Sequence, residues 1–298
     1  MQKQFDYDLR FVFHPEEDAA YVHFENAGAH PFQASPAGFS RVNAWWLADA
    51  ALLSYWKPTD ATRIFGRAGL HAEYLETNGT DCYVTWNDAS VIVAFRGTQP
   101  DEWEDILSDI RTAQVPWDVG HAHKGFAAAL DGIWAALSKK LASLASTRAV
   151  WFCGHSLGAA IATLAAYRYP GTRGVCTFGS PRVGDETLAN AFNVRLAGKA
   201  LRFVNDQDIV THVPPPVLPP WTFKHLDPRR FIGPDGTVSD GGPAVAHFFA
   251  DVFGRPAVLL DTITGLQNQS LTHGPVALLD HMPKAYAVCT WNDHDAHP

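Results

Sequence analysis

The chain has 298 residues, 47% of them hydrophobic, and its 23 basic and 31 acidic residues give a formal net charge of −8. An acidic chain attracts neither nucleic acid nor anionic lipid by bulk charge, so the composition favours a neutral or apolar ligand. The length allows two domains, but no linker divides the chain, and we expect one α/β domain over residues 1–298.

The sequence carries few signals of location. The N-terminus lacks the basic start, apolar stretch and small-residue cleavage site of a secretory signal. No apolar run reaches the roughly 18 residues of a membrane span. The cysteines form no C-x-x-C pair or metal spacing, and Cys153 and Cys176 within apolar runs are expected to be buried free thiols. We therefore expect a cytoplasmic protein, with export by a route that the sequence does not display left open.

Strand and helix patterns alternate after an N-terminal arm over about residues 1–40. The run 90–95, SVIVAF, is apolar on both alternations, which is typical of a strand buried on both faces. The first helix is expected to end before Pro58, because proline cannot continue the hydrogen-bond ladder. Strands that alternate with helices predict a mostly parallel central sheet flanked by helices. The predicted helices are 43–56, 125–145, 157–169 and 185–194, and the predicted strands are 81–86, 90–95, 149–153, 174–178 and 201–205.

The C-terminal third has a less regular pattern. The proline-rich stretch 213–220 is expected to be a rigid surface loop rather than a polyproline ligand, since it follows a strand end. Residues 223–240 predict a hairpin that turns at 234–236. The apolar run 243–268 predicts a helical insertion, which packs on the domain, caps a pocket or forms a dimer contact.

The sequence GHSLG at 154–158 lies between a predicted strand and a predicted helix, the context in which G-x-S-x-G marks a nucleophile. A serine on so tight a turn needs neighbours without bulk, and Gly154 and Gly158 meet that need. The turn places Ser156 at a helix N-terminus, where free N–H groups favour negative charge. We predict Ser156 as the nucleophile and the N–H of Leu157 as one oxyanion donor. The alternative is a structural serine in a small-residue turn.

A nucleophilic serine needs a general base, normally a histidine oriented by a carboxylate. In α/β hydrolases the acid and then the histidine follow the nucleophile in the chain. The acid is expected just past the strand 201–205, at Asp206 or Asp208, which the residues alone do not separate. The candidate histidines after it are His212, His225, His247, His273 and His281.

Six segments, taken in order, resemble the motifs of the class 3 lipases, the family of the filamentous-fungal triacylglycerol lipases and their bacterial and plant relatives. The resemblance spans about Asn43 to Tyr286 and implies the α/β-hydrolase fold. The segments are VAFRGT (93–98), HKGF (123–126), GHSLG (154–158), TFGSPRVGD (177–185), FVNDQDIV (203–210) and DHMPKAY (280–286).

This resemblance also assigns roles to individual residues. It implies Ser156 as the nucleophile, Asp208 as the acid, because this is the Asp that precedes Ile-Val, and His281 as the base, from the D-H pair before a short helix. Thr98, the residue after R-G, is implied as the second oxyanion donor, through its backbone N–H and its hydroxyl.

A predicted helix follows Thr98. Pro100 and two acids stand at its start, which suits proline geometry and the helix dipole. An apolar face recurs at i, i+3, i+4 and i+7. By resemblance this helix is a lid over the active-site cleft that swings away at a lipid surface; the alternative is a face that packs on the core. The residues of the apolar face are Trp103, Ile106, Leu107 and Ile110.

Together these features predict a serine carboxylic-ester hydrolase that forms an acyl-serine intermediate, and the resemblance implies acylglycerol substrates. A short-chain carboxylesterase and a phospholipase A1 would use the same triad. A non-catalytic lipid-binding member would lack a triad residue, and all three candidates are present. We assign no metal and no cofactor, since His121 and His123 overlap the H-K-G-F segment and the histidines of 291–298 lie in a polar tail expected to fray.

Overall fold

The computed structural model describes residues 2–4, 10–18, 20–97, 113–226, 228–241 and 279–297. The strands are β1 (His71–Thr77), β2 (Thr80–Trp86), β3 (Ser90–Phe95), β4 (Gln114–Pro116), β5 (His121–His123), β6 (Ala149–His155), β7 (Thr172–Phe178), β8 (Ala200–Asn205), β9 (Val217–Leu218), β10 (Trp221–Thr222), β11 (Arg229–Ile232) and β12 (Val238–Asp240). The helices are α1 (Arg10–Phe13), α2 (Arg41–Leu53), α3 (Pro58–Arg67), α4 (Lys124–Leu144), α5 (Leu157–Arg168), α6 (Glu186–Arg195) and α7 (Pro283–Ala296), with short 3-10 helices at Pro15–Glu17 and Ile209–His212.

A mostly parallel sheet forms the centre of the molecule. Its eight strands lie in the order β1-β2-β3-β6-β7-β8-β11-β12. Within this sheet the adjacent strands β3, β6, β7, β8 and β11 are parallel to one another. The strands β1, β2 and β12 are antiparallel to their neighbours. The carboxyl ends of parallel strands meet at one edge of a sheet, so the segments that follow β3, β6, β7 and β8 are brought together there.

Helices cover both faces of this sheet, as the alternation of strands and helices predicts. Every residue of β3 is buried. Val93 and Phe95 belong to the core that α4, α5 and α6 share, while Ile92 and Ala94 belong to the core under α2, α3 and α7. The apolar residues on both alternations of this strand are therefore explained by two hydrophobic layers.

The first long helix ends earlier than predicted. α2 stops at Leu53, with Ser54 as its C-cap, and Pro58 begins α3 instead of marking the end of a helix. Proline suits the first position of a helix because its missing N–H would have no intrahelical partner there. The sequence does not predict β1, because this edge strand is nowhere fully buried and carries no apolar run.

The remaining helices of the α/β core agree with their predicted positions to within one residue. Asp185 caps α6, since its side chain accepts the N–H of Leu188 at 2.8 Å. The predicted hairpin is confirmed as β11 and β12, in which Ile232 pairs with Val238 across a turn that contains Gly236.

The prediction that residues 291–298 fray is wrong. α7 continues to Ala296, and the ring centroid of Trp291 lies 4.6 Å from that of Trp45 on α2. His294 Nε2 and His30 Nδ1 are 3.0 Å apart. The tail is rich in polar residues, but helical spacing places Trp291 on a different face of α7 from its polar neighbours, and this apolar face packs on α2.

Two predictions fall on residues that the structure does not describe: the helical insertion at 243–268 and the helix after Thr98. Within the described ranges, no helix has the length and apolar character needed to cross a membrane. Cys153 and Cys176 are buried free thiols, as expected.

Candidate active site

Ser156 lies on a strained turn between β6 and α5. Its backbone has φ 59° and ψ −127°, a region that costs a residue with a side chain about 1–3 kcal/mol. The N–H of Ser156 donates to the carbonyl of Phe178 at 3.0 Å, which ties the turn to the end of β7. Such strain is retained where the surrounding structure fixes it, and it clusters at functional sites.

Two glycines allow this turn to form. A Cβ on Gly154 would overlap the backbone of Gly158, and a Cβ on Gly158 would overlap the carbonyl oxygen of Phe95 at the end of β3. Both overlaps are with backbone atoms, which cannot move aside as a flexible side chain can. Positions 154 and 158 therefore have to be glycine for β3, β6 and α5 to approach each other this closely.

Leu157 is the first residue of α5, a helix of 12 residues. The N–H groups of a first helical turn have no intrahelical partner, and they lie at the positive end of the helix dipole. The backbone N–H of Leu157 is therefore a suitable donor to an oxyanion beside Ser156. Thr98, the second predicted donor, lies outside the described residues; the described part of its segment ends at the buried Gly97.

His281 and Asp208 form a buried pair. The Nδ1 atom of His281 lies 2.9 Å from Oδ1 and 2.8 Å from Oδ2 of Asp208, and the two side chains are 1% and 0% exposed. Because an ionised carboxylate only accepts hydrogen bonds, the proton of the neutral imidazole lies on Nδ1 and Nε2 is left as a base. Gly179, at φ 60°, makes room for the pair, since a Cβ there would lie 2.7 Å from Asp208 Oδ2.

The structure separates the two acids that the residues alone left open. Asp206 is half-buried, and its backbone N–H donates to Ile232 at 2.8 Å. Asp208 is fully buried and caps the 3-10 helix that follows it, accepting the N–H of Val210 at 2.9 Å. Of the two, Asp208 is the one whose carboxylate meets His281.

A tyrosine that sequence reasoning missed completes the surroundings of Asp208. The hydroxyl of Tyr286 on α7 donates to Asp208 Oδ2 at 2.5 Å and accepts the backbone N–H of Asn205 at 3.1 Å. Burial, and then the charge of Asp208, raises the pKa of Tyr286 well above its usual value, so the hydroxyl keeps its proton. Tyr286 is the last letter of the DHMPKAY segment, which was the only signal in the sequence that could have found it.

Asp280, beside His281 in the chain, is a buried carboxyl with an altered pKa. Its Oδ2 accepts the N–H of Gln207 at 3.1 Å, and its carbonyl accepts the side-chain amide of Asn205 at 2.9 Å. Burial, assisted by the charge of Asp208, raises the pKa of Asp280 to about 7 although the bond from Gln207 opposes the shift. These bonds tie the segment of His281 to the turn that carries Asp208.

The other histidines have different surroundings. His225 Nε2 lies 2.6 Å from the carbonyl of Thr211, and burial lowers its pKa well below the usual value. Burial likewise lowers the pKa of His212 to about 4. His247 and His273 lie outside the described residues, as do the four residues of the predicted lid face. In the part of the chain that the structure describes, no group of three or more His, Cys, Asp or Glu side chains could hold a metal ion.

Comparison with known proteins points to one family. Residues 92–218 match the model of the lipase (class 3) family. The chain is 36% identical over 179 residues to secreted mono- and diacylglycerol lipase 1 of Fusarium solani, which covers 55% of this chain and 49% of that protein. It is 46% identical over 76 residues to phospholipase A(1) DAD1, chloroplastic, of Arabidopsis thaliana, covering 23% of this chain and 17% of that protein. The chain thus spans about half or less of these curated relatives.

Solved structures give the same fold. The triacylglyceride lipase of Rhizomucor miehei matches with a TM-score of 0.55 at 21% identity, covering 82% of this chain and 94% of that one. The LIP2 lipase of Yarrowia lipolytica matches with a TM-score of 0.53 at 20% identity, covering 67% of this chain and 82% of that one. The fold is the α/β-hydrolase fold.

Proposed function

We propose that the chain is a serine hydrolase that cleaves the ester bonds of acylglycerols, because residues 92–218 match the model of the class 3 lipase family. The observation that carries this proposal is the buried pair of His281 and Asp208 beside the strained turn of Ser156. The hydrogen bond that Nδ1 donates to Asp208 leaves Nε2 as the basic nitrogen, which is the protonation state that an attacking serine requires.

The reaction has two halves. The Oγ atom of Ser156 attacks the ester carbonyl carbon while its proton passes to Nε2 of His281, and the carbonyl oxygen becomes an oxyanion. The N–H of Leu157 donates to that oxyanion, and Thr98, which lies outside the described residues, is the predicted second donor; removing one such donor typically costs about 3 kcal/mol of transition-state stabilisation.

Collapse of the tetrahedral intermediate breaks the bond to the alcohol, which leaves with the proton from His281. Water then attacks the acyl-serine, again with His281 as the base, and the fatty acid departs as Ser156 regains its proton. Asp208 stabilises the imidazolium in both halves while remaining a carboxylate.

Acylglycerols are favoured as substrates by two relatives. One is named a mono- and diacylglycerol lipase, and one solved neighbour a triacylglyceride lipase. A phospholipase A1 activity is the second candidate, favoured by the 46% identity over 76 residues to a protein of that name.

One lipid panel tests the substrate class. The purified chain is incubated with emulsified mono-, di- and trioleoylglycerol and with vesicles of 1-oleoyl-2-palmitoyl phosphatidylcholine, and the released fatty acids are measured by mass spectrometry. Ser156→Ala serves as the control for each substrate. We expect Ser156-dependent release from the acylglycerols. Release only from phosphatidylcholine, at the sn-1 position, would favour the second candidate, and release from neither would contradict both.

A series of p-nitrophenyl esters from acetate to palmitate, with tributyrin followed across its solubility limit, separates a lipase from a short-chain esterase. A rate that rises once droplets form is expected for a lidded lipase. Saturation below the solubility limit, with a preference for short acyl chains, would identify an esterase.

A further inference from the structure

Two side chains that the proposed reaction does not use, the buried His155 and the half-buried Tyr55, lie between the catalytic segments. His155 ends β6 immediately before Ser156 and is 2% exposed. Its Nε2 atom lies 2.7 Å from the backbone carbonyl oxygen of His281, and its Nδ1 atom lies 2.9 Å from the hydroxyl of Tyr55. The residue before the nucleophile is thus joined to the main chain of the predicted base.

The partners of His155 fix where its proton lies. A carbonyl oxygen can only accept, so Nε2 of His155 carries the hydrogen and donates to His281, and Nδ1 accepts from the hydroxyl of Tyr55. Burial, and then the proximity of His281, lowers the pKa of His155 well below its usual value. His155 is therefore a neutral ring with one defined tautomer, which the carbonyl of His281 selects and which the hydroxyl of Tyr55 matches by donating to Nδ1.

Tyr55 also reaches the third catalytic segment. A Cβ on Gly97 would overlap the hydroxyl oxygen of Tyr55 and would lie 2.8 Å from the carbonyl oxygen of His155. Gly97 directly precedes Thr98, the predicted oxyanion donor. The ring of His155 also packs on the ring of His281, with the two centroids 4.4 Å apart.

We propose that Tyr55 and His155 are positioning residues that hold the backbone of His281 in register with the turn of Ser156 and the end of the segment at Gly97. The proposal rests on the proposed function, since it concerns how that reaction is aligned. Neither side chain touches the reacting atoms in this account. Their effect on the reaction is indirect: they keep the catalytic groups aligned, and a displacement of such a group by about 1 Å can lower the rate by about 100-fold.

Amide substitutions at position 155 separate the two hydrogen bonds. The side-chain amide of His155→Gln reaches the place of Nε2 and keeps the donor to His281. The shorter side chain of His155→Asn reaches the place of Nδ1 and keeps only the contact with Tyr55. If the bond to His281 aligns the site, Gln retains more activity than Asn, although both lose the ring.

The test compares steady-state hydrolysis of p-nitrophenyl butyrate by wild type, Tyr55→Phe, His155→Gln and His155→Asn. We expect kcat to fall about 100-fold in His155→Asn, which loses the bond to His281, and about tenfold in Tyr55→Phe and in His155→Gln, which both lose only the bond between positions 55 and 155, with KM unchanged. Tyr83→Phe is the matched control, because it also removes a buried tyrosine hydroxyl, one that donates to the carbonyl of Trp56 at 2.7 Å. Its kcat is expected to stay near that of wild type.

A second measurement separates alignment from loss of folded protein. A fluorophosphonate probe is expected to react with one serine per chain in every variant, only more slowly in His155→Asn and, to a smaller extent, in Tyr55→Phe and His155→Gln. A merely structural role would lower the labelled fraction and leave the rate of the remainder unchanged. Hydrogen–deuterium exchange over 279–286 needs no turnover, and it is expected to be faster in His155→Asn than in His155→Gln.

Several results would overturn the positioning role: equal kcat in the Gln and Asn variants, an equal loss in Tyr83→Phe and Tyr55→Phe, a labelled fraction that falls with activity, or equal exchange over 279–286. The proposed function fails in a different way. In that case wild type itself neither hydrolyses esters nor reacts with the probe, and the exchange measurement still decides whether His155 fixes the segment of His281.

Discussion

Replacing Asp208 with asparagine tests the predicted acid most sharply. Three donors converge on its two oxygens: His281 Nδ1 at 2.8 and 2.9 Å, the Val210 N–H at 2.9 Å and the Tyr286 hydroxyl at 2.5 Å. An amide offers one accepting oxygen, and its NH2 group would face a donor. The imidazole then favours the tautomer with its proton on Nε2, which cannot accept the proton of Ser156. We expect kcat for p-nitrophenyl butyrate to fall about 10⁴-fold, which corresponds to about 5.5 kcal/mol.

Asp206→Asn is the matched control for this prediction. Asp206 lies two residues away and is half-buried. Substitutions away from a buried network usually change the free energy of unfolding by no more than about 0.5 kcal/mol, so the kcat of Asp206→Asn is expected to stay within about threefold of wild type. Circular dichroism and thermal melts establish that both variants are folded. The reasoning is refuted if Asp206→Asn loses more activity than Asp208→Asn, or if folded Asp208→Asn retains turnover within tenfold of wild type.

Three further substitutions probe the packing and electrostatics of the site. Gly158→Ala should lower the free energy of unfolding in urea by about 1–3 kcal/mol, because its Cβ overlaps the carbonyl of Phe95; unchanged stability would show that the turn can relax. Tyr286→Phe should lower kcat about tenfold, since a hydrogen bond to a charged group contributes about 1.5–3 kcal/mol; an unchanged kcat would mean that Asp208 holds its place without the hydroxyl. The pKa of Asp280 is raised to about 7 from 3.8 in the unfolded chain, so the folded state binds the extra proton and this group's contribution to stability is lost as the pH rises from about 4 through 7. Asp280→Asn should therefore reduce the loss of stability between pH 5 and pH 8 in urea unfolding, and an unaltered pH dependence would assign that slope to other groups.

The sequence predicts those parts of the site that depend on neighbours in the chain. The elbow is such a part: the glycines flanking Ser156, the strand before it and the helix after it all lie within 149–168, and periodicity detects each of them. The boundary between α2 and α3 is harder to predict, because a proline that ends one helix and a proline that begins the next give the same sequence pattern.

Contacts between distant segments could not be read from the residues alone. Asp206 and Asp208 are two positions apart and equally plausible as sequence, and only the resemblance to the class 3 lipases separated them before the structure joined Asp208 to His281. His155 directly precedes Ser156 in the chain, but its bonds to Tyr55 and His281 span 100 and 126 positions of the chain. No local pattern encodes such pairs, because they depend on the order of the strands in the sheet.

The measurement that tests the central claim most directly is the capture of an acyl group on Ser156. Wild type is mixed with p-nitrophenyl butyrate, quenched in acid within the first turnover, digested and analysed by mass spectrometry. The account predicts one butyryl group on the peptide that carries Ser156, and neither the modified peptide nor ester hydrolysis in folded Ser156→Ala. A butyryl group on another residue, or continued hydrolysis by that variant, would contradict the assignment of Ser156 as the nucleophile.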